Sequence, residues 1–220
     1  ILGLGNTTYI DCNFRGNGLS KKDELQTLNF EFKELRTDLK TISRIVPGFK
    51  PPEQFYKLGS ISFKGDYQLF DGIDHVLYGD FVSDLGSGRA DMQLNLKQGK
   101  EKAVYSGGLE MRSFDLATWT GDKQFGRSTF RVNIAENSTG LTLQTMKAKI
   151  TGKIDTLSYR GYRYRDIFLN GAFNEKVFDG ELKSEDPNVD FTFDGNINLK
   201  EDVPKFEFSA KIRRLELAVL

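Results

Sequence analysis

The residue types that most often carry chemistry are scarce in this chain of 220 residues. His75 is its only histidine and Cys12 its only cysteine. Catalytic schemes and metal sites that need two imidazoles are therefore excluded, as are an intramolecular disulfide and a cysteine-based zinc cluster. His75 stands at an apolar position of an alternating pattern, which favours a hydrogen-bonded structural residue over a base. Cys12 has no histidine near it in sequence, so we interpret it as a small strand residue.

Carboxylates are numerous, but their spacing does not indicate a site. Asp80, Asp84 and Asp91 could gather around a calcium ion, yet no oxygen-rich loop of the EF-hand type surrounds them. The adjacent acids of residues 185–188 predict a turn rather than a catalytic pair. The sequence contains neither a glycine-rich phosphate loop nor a serine nucleophile elbow. We therefore expect a protein that is not an enzyme and that uses no cofactor and no metal.

Aromatic and basic residues alternate from Tyr159 to Arg165. Such a segment could contact the phosphates of lipids or nucleic acids, but we interpret it as an edge strand with paired aromatic rings and solvated arginines. The chain carries 31 basic and 31 acidic residues, so its net charge is zero. A nucleic-acid partner would favour a basic surface, and we expect none.

Strict alternation of apolar and polar residues is the main structural signal. The clearest runs cover residues 90–96, 130–134, 146–154, 191–199 and 206–213. A period of two predicts strands with one apolar and one solvated face, as in antiparallel sheets. We predict an all-β fold of long, curved antiparallel sheets that form an open groove with a hydrophobic interior.

One segment departs from this pattern. Residues 38–47 combine a capping Asp38, apolar residues at helical spacing and Pro47, which together predict a short helix. Residues 114–119 hold the equivalent place after the next run and predict a degenerate copy of it. The fold therefore includes one or two short helices.

Three runs end in the same way: an apolar alternation, a polar break and a second apolar alternation. These endings lie at residues 30–35, 109–116 and 210–217. The spacing from Gly79 to Gly88 also recurs from Gly171 to Gly180. Recurrence at long intervals predicts repeated units, which we place at residues 1–50, 51–120 and 121–220 of one continuous structure. The chain begins without Met and stops at the third ending, so we expect an internal fragment of a longer protein.

The apolar positions of two repeats predict which side chains line the groove. In the earlier repeat these are Leu77, Phe81, Met92, Leu94, Leu109 and Met111. In the later repeat they are Phe173, Leu182, Phe191, Phe193, Ile197, Phe206, Phe208 and Ile212.

The stretch from Ile150 to Leu220 resembles the TamB family of the AsmA-like superfamily, in its Bacteroidetes-type form. The similar residues include Ile150 to Gly171, Phe178 to Leu182, Glu185 to Asn188 and Pro204 to Phe208. Residues 28–65 are similar as well. The matching motifs are structural repeats, and none of them is catalytic.

The resemblance implies a β-taco, or repeating β-groove, in a protein anchored to the inner membrane that spans the periplasm of a Gram-negative bacterium. It implies phospholipid acyl chains as cargo and an outer-membrane barrel protein as partner. Members of the family act in outer-membrane protein assembly and lipid transport. The membrane anchor and the partner-binding segment of the family have no counterpart in these residues.

Two other classes of function fit the same alternation. A scaffold could offer strand edges or its apolar face to unfolded outer-membrane proteins. A closed β-sandwich binding module could instead use the same phenylalanines as a dry core. The alternation alone does not distinguish a groove from a sandwich.

Overall fold

A computed structural model describes residues 2–4, 8–18, 26–45, 53–142, 144–201 and 203–216. The strands are β1 Leu2–Leu4, β2 Thr8–Asn17, β3 Thr27–Asp38, β4 Ser60–Phe70, β5 Asp74–Ser83, β6 Gly86–Asn95, β7 Val104–Asp115, β8 Phe125–Thr139, β9 Lys147–Tyr159, β10 Tyr162–Asn174, β11 Val177–Glu185, β12 Val189–Asn198 and β13 Lys205–Leu215. The α-helices are α1 Leu39–Ile45 and α2 Leu116–Thr120, and the 3-10 helices are Glu53–Leu58 and Lys100–Lys102.

All the strands belong to one antiparallel sheet, in which each strand pairs with the next one along the chain. The sheet is open, since β1 and β13 do not pair with each other. The prediction of an all-β protein with an open antiparallel sheet and one or two short α-helices is confirmed. A sandwich of two facing sheets is not the architecture of these strands.

The accessible surface agrees with an open sheet. It amounts to 14281 Å², whereas a compact monomer of this size would expose roughly 10,200 Å². Few side chains are fully buried, and most apolar ones on the strands are half-buried.

The three repeated endings are β-bulges. In β3, Phe32 and Leu35 pair with Gly65 and Phe63, so the register shifts across the polar break between them. In β7 the shift falls between Met111 and Phe114. In a regular strand, side chains three positions apart point to opposite faces. The extra residue of a bulge brings them onto the same face.

The third ending follows the same rule as far as residue 216, and Leu217 lies outside the described residues. In β13, Ile212 pairs with Phe191 and Arg214 with Asp190, which leaves Arg213 without a register partner. Apolar side chains on both sides of all three breaks therefore stay on one face of the sheet.

Both predicted helices are present, and both begin after an aspartate. The Asp38 carboxylate accepts hydrogen bonds from the backbone N–H of Thr41, at 2.9 Å, and from its hydroxyl, at 2.7 Å. Asp115 accepts the equivalent bonds from Thr118, at 3.0 Å and 2.9 Å. These contacts satisfy N–H groups that the first turn of a helix leaves free.

The sheet continues past both helices. Strands β3 and β4 flank α1 in sequence and pair with each other, and β7 and β8 do the same around α2. The sheet is therefore continuous across both helices. The predicted boundary after residue 50 lies outside the described residues, and the division into repeats stays a prediction.

Two glycines of the repeat, Gly79 and Gly171, lie against aromatic rings of neighbouring strands. A methyl group at Gly79 would lie 2.7 Å from the Phe63 ring, and one at Gly171 would lie 2.5 Å from the Phe178 ring. Both distances are too short for real contacts. A side chain at either position would therefore collide with the neighbouring ring.

The turn between β11 and β12 is fixed by one buried carboxylate. Asp186 is 2 % exposed and accepts hydrogen bonds from the Tyr162 hydroxyl at 2.7 Å, the Arg165 N–H at 2.9 Å and the Asn188 N–H at 2.9 Å. The predicted turn at residues 185–188 is thus present, and it also holds the start of β10.

The segment from Tyr159 to Arg165 is a hairpin between β9 and β10 rather than an edge strand, so that interpretation is wrong. Arg160 and Gly161 both have positive φ, at 51° and 88°, as a two-residue turn of type I′ requires. The edge interpretation failed because alternation does not reveal whether a strand has one neighbour or two.

We predict that Asp186→Ala lowers the free energy of unfolding by roughly 2–4 kcal/mol, because three donors lose their buried acceptor. Denaturant unfolding measures this change. The control is Glu185→Ala, which removes an exposed ion pair with Lys183 and should cost less than about 1 kcal/mol. Equal effects of the two substitutions would contradict the role given to Asp186.

A second prediction concerns pH. Hydrogen bonds from Thr118 hold the pKa of Asp115 below its ordinary value of 3.8. The charged carboxylate therefore contributes stability that is complete above this value and is lost as the pH falls through the lower folded-state pKa. Asp115→Asn keeps a capping oxygen but does not titrate.

The stability difference between wild type and Asp115→Asn should consequently be larger at pH 6 than at pH 2. Urea unfolding at both values measures it. A difference that does not change with pH would show that the charge of Asp115 adds nothing to the cap.

Candidate functional site

All the predicted groove-lining residues lie on one face of the sheet, which we call the apolar face. Side chains of register partners in an antiparallel sheet share a face. Leu77 pairs with Met92, and Leu182 pairs with Phe193. The same partner relations connect every other member of the predicted set, so these residues share one face. That they line a lipid groove stays a prediction.

Register partners form three apolar lanes that cross the strands. The first lane consists of Ile10, Leu35, Phe63, Phe81, Gly88, Met111, Phe130, Ile154, Ile167, Ser184, Phe191 and Ile212. The second consists of Cys12, Phe32, Gly65, Gly79, Ala90, Leu109, Val132, Gly152, Leu169, Leu182, Phe193 and Ala210. The third consists of Phe14, Phe30, Tyr67, Leu77, Met92, Gly107, Ile134, Ile150, Gly171, Gly180, Gly195 and Phe208.

None of the residues in the three lanes is charged. Each lane takes one residue from every strand from β2 to β13, which at about 4.8 Å per strand gives a path of roughly 50 Å. The remaining predicted residues lie beside the third lane. Leu94 pairs with His75 and Tyr105, while Phe173, Ile197 and Phe206 are linked through Phe178.

Aromatic contacts occur both within a lane and between neighbouring lanes. Phe14 and Phe30 have ring centroids 4.9 Å apart, and those of Phe193 and Phe208 are 5.5 Å apart. The face is open at β13, where Phe206, Phe208 and Ile212 are 58 %, 59 % and 57 % exposed.

One end of the face is covered. Helix α2 and the 3-10 helix Glu53–Leu58 lie over it, joined by an edge-to-face contact of Phe55 with Trp119 at 5.5 Å. Beneath them Met111 and Phe114 are 4 % and 5 % exposed. Met111, although predicted to line a groove, therefore lies in a closed cluster, and Phe81 and Leu109 pack against that cluster.

The rest of the face carries two depressions. One, of about 410 Å³, lies where His75, Leu94 and Tyr105 adjoin the third lane. The other, of about 200 Å³, lies over Gly180 and Gly195, with Phe178 and Phe208 among its walls. Predicted residues line both: Leu77, Met92 and Leu94 the first, and Leu182, Phe193, Ile197, Phe206 and Phe208 the second.

On the opposite face, one row of register partners carries charges whose sign alternates from β4 to β8. The register partners in order are Lys64, Asp80, Arg89, Glu110 and Arg131. Opposite charges on neighbouring strands attract each other modestly and remain hydrated. One face is thus apolar and the other solvated.

His75 belongs to the apolar face, as its sequence position indicated. Its Nδ1 lies 2.8 Å from the Tyr67 hydroxyl. Burial lowers the pKa of His75, and the nearby charge of Asp74 opposes this only partly. The ring is therefore neutral at pH 7, and its contact with Tyr67 is the structural hydrogen bond that the sequence favoured.

Sequence reasoning missed Tyr105. Its side chain is 7 % exposed and lines the larger depression. Its hydroxyl is buried and has no hydrogen-bond partner among the residues the structure describes. No local pattern marks it, because its surroundings come from strands and turns up to about forty residues away.

Two further observations concern the described part of the chain only. Its histidine, cysteine and acidic side chains nowhere form a group of three or more that could hold a metal ion. None of its helices has the length and apolarity needed to cross a membrane.

Comparison with protein-family models, with curated proteins and with solved structures finds no match to this chain. The similarity to the TamB family therefore rests on the residues quoted above, and membership in that family stays a prediction.

Proposed function

We propose that this chain is a non-enzymatic segment of a TamB-like, periplasm-spanning protein and that its apolar face shields lipid acyl chains on their way between the inner and outer membranes. In this role it supports outer-membrane biogenesis. The observation that carries the proposal is the set of three uncharged lanes that cross the sheet from β2 to β13. The first lane is covered near Met111, whereas no residue of the third lane belongs to the covered cluster.

The physical requirement is continuous shielding. Exposing an acyl chain to water costs about 0.8 kcal/mol per methylene, or roughly 13 kcal/mol for a tail of about 16 carbons. A single charged side chain in the path would add a large desolvation cost. The lanes contain no such side chain, and the third lane has no residue in the covered cluster around Met111. A tail could therefore move along the third lane from strand to strand without leaving an apolar surface.

The dimensions suit this role. The hydrocarbon core of a bilayer is about 30 Å thick and holds two tails end to end, so one tail spans about 15 Å. The lanes, at roughly 50 Å, exceed this length about threefold. A tail would thus occupy part of the path at any time, as a conduit requires.

The charged face complements the apolar one. Open apolar surfaces cause association in water. The alternating charges from Lys64 to Arg131 keep the other side hydrated. An extended sheet with one charged face can span an aqueous compartment while its other face offers lipid tails a continuous apolar surface.

A photoreactive residue at Phe208 should crosslink to phospholipid, because this side chain is 59 % exposed on the apolar face. The matched control is Thr192, which lies between Phe191 and Phe193 and belongs to the opposite face. Mass spectrometry of irradiated protein, mixed with phosphatidylethanolamine vesicles, identifies the adducts. Equal adduct yields at the two positions, or none at Phe208, would overturn the proposal.

Interrupting the third lane should weaken lipid binding. Ile150→Glu places a carboxylate in mid-path, and we expect at least about tenfold weaker binding, because the charge must be desolvated under a bound tail. Thr151→Glu puts the same charge on the other face and should leave binding unchanged. Titration with a fluorescent phospholipid measures both, and unfolding curves establish that both variants are folded.

The scaffold for outer-membrane protein assembly is a second candidate, and β13 favours it. This strand is exposed along its whole length, from Lys205 to Leu215. An unfolded apolar segment could therefore lie against it. Adducts of Phe208 with nascent barrel proteins, in place of phospholipid, would support this candidate over the first.

A further inference from the structure

The larger depression of the apolar face combines an apolar wall with a few polar groups. Its volume of about 410 Å³ falls within the roughly 300–1,000 Å³ of small-molecule sites. Leu77, Met92 and Leu94 form part of its wall, and Leu141 and Met146 belong to the turn region that flanks it. The depression adjoins the third lane, to which Leu77 and Met92 belong.

Tyr105 is the unusual residue of this depression. Its side chain is 93 % buried, given an exposure of 7 %, and its hydroxyl finds no partner among the described residues. Buried hydroxyls almost always have a partner, because burial otherwise forfeits a hydrogen bond to water. A phenylalanine would fill this place at less cost if packing were the only requirement.

A second polar pair lies in the same depression. Tyr67 and His75 are hydrogen-bonded to each other at 2.8 Å. His75 and Tyr105 both pair with Leu94, from opposite sides, so their backbones lie two strands, or roughly 10 Å, apart on one face. A ligand group above Leu94 would lie between the two side chains.

The charge state of these groups narrows the ligand. Burial raises the pKa of both Tyr67 and Tyr105 and lowers that of His75. All three are therefore neutral at pH 7. The described lining contains no charged side chain that could neutralise an anion. Neutral donors in an apolar site suit an uncharged acceptor, whereas a carboxylate or phosphate would be poorly solvated there.

We propose that this depression binds the ester carbonyl of a fatty acyl chain, with the Tyr105 hydroxyl as its hydrogen-bond donor and the tail lying along the third lane. This inference rests on the proposed function and adds the recognised chemical group to it. At this depression, the hydrogen bond would hold the acyl ester in one orientation. The ester bond itself is not altered.

The test uses two matched lipids. 1-Oleoylglycerol carries an ester carbonyl, and 1-oleylglycerol ether has the same tail and headgroup without that carbonyl. Wild type should bind the ester roughly threefold to tenfold more tightly than the ether, which corresponds to one hydrogen bond. Tyr105→Phe should abolish this preference by weakening only the ester, and the control Tyr78→Phe, on the opposite face, should retain it.

A stability measurement separates ligand recognition from a structural role. Without lipid, Tyr105→Phe should unfold at a denaturant concentration equal to or higher than wild type, because it removes an unpaired buried hydroxyl and keeps the ring. A marked loss of stability would show that the hydroxyl serves the fold and would overturn the inference.

The binding outcomes distinguish the two proposals. If wild type binds neither lipid, the proposed function fails, and this inference fails with it. If both lipids bind wild type equally, or if Tyr105→Phe weakens both to the same extent, only the inference is overturned.

Discussion

Cross-strand register is the constraint on which every other feature of this sheet depends. Side chains alternate between faces with a period of two, so a slip of one residue at any pairing would exchange the faces of all strands beyond it. In this chain the partner relations hold the apolar parity from Phe14 in β2 to Phe208 in β13. A continuous apolar surface and a continuous charged one both follow from it.

β-Bulges keep the apolar side chains on one face where polar residues interrupt the alternation. The polar breaks after Phe32, Met111 and Ile212 each insert a residue that would reverse the faces of a regular strand. At each break the pairing skips a position instead. Bulges also bend a strand and strengthen its local twist. Two of these strands, β3 and β7, lead directly into the capped helices α1 and α2, so the bulge lies just before the point where the chain leaves the sheet.

Alternation in the sequence was sufficient to predict the all-β class and the face of every groove candidate, because burial on one side imposes a period of two. Asp38 similarly predicted α1, since a cap is a local signal. The step from Phe32 to Leu35 contained the evidence for a bulge, but only pairing with β4 shows it to be one. The buried environments of Tyr105 and Asp186 could not be predicted, because the residues around them are distant in sequence and are brought together by the fold. Whether the apolar face was open or covered by a second sheet was likewise absent from the sequence, as both arrangements need the same alternation.

The open face raises an energetic question. A sheet usually buries its apolar side against a second layer, yet here the described residues supply one only at the end covered by α2 and Glu53–Leu58. Elsewhere, contacts such as Phe193 with Phe208 remove part of the surface from water but leave Phe208 mostly exposed. Under the proposed function, lipid tails are the missing layer, and they must leave as readily as they enter. A face with side chains as exposed as Phe208 suits this requirement, because a tail lying there is covered by protein on one side only. The unpaired hydroxyl of Tyr105 then has a physical rationale: it is the kind of local, modest attraction that can orient a passing acyl ester without trapping it.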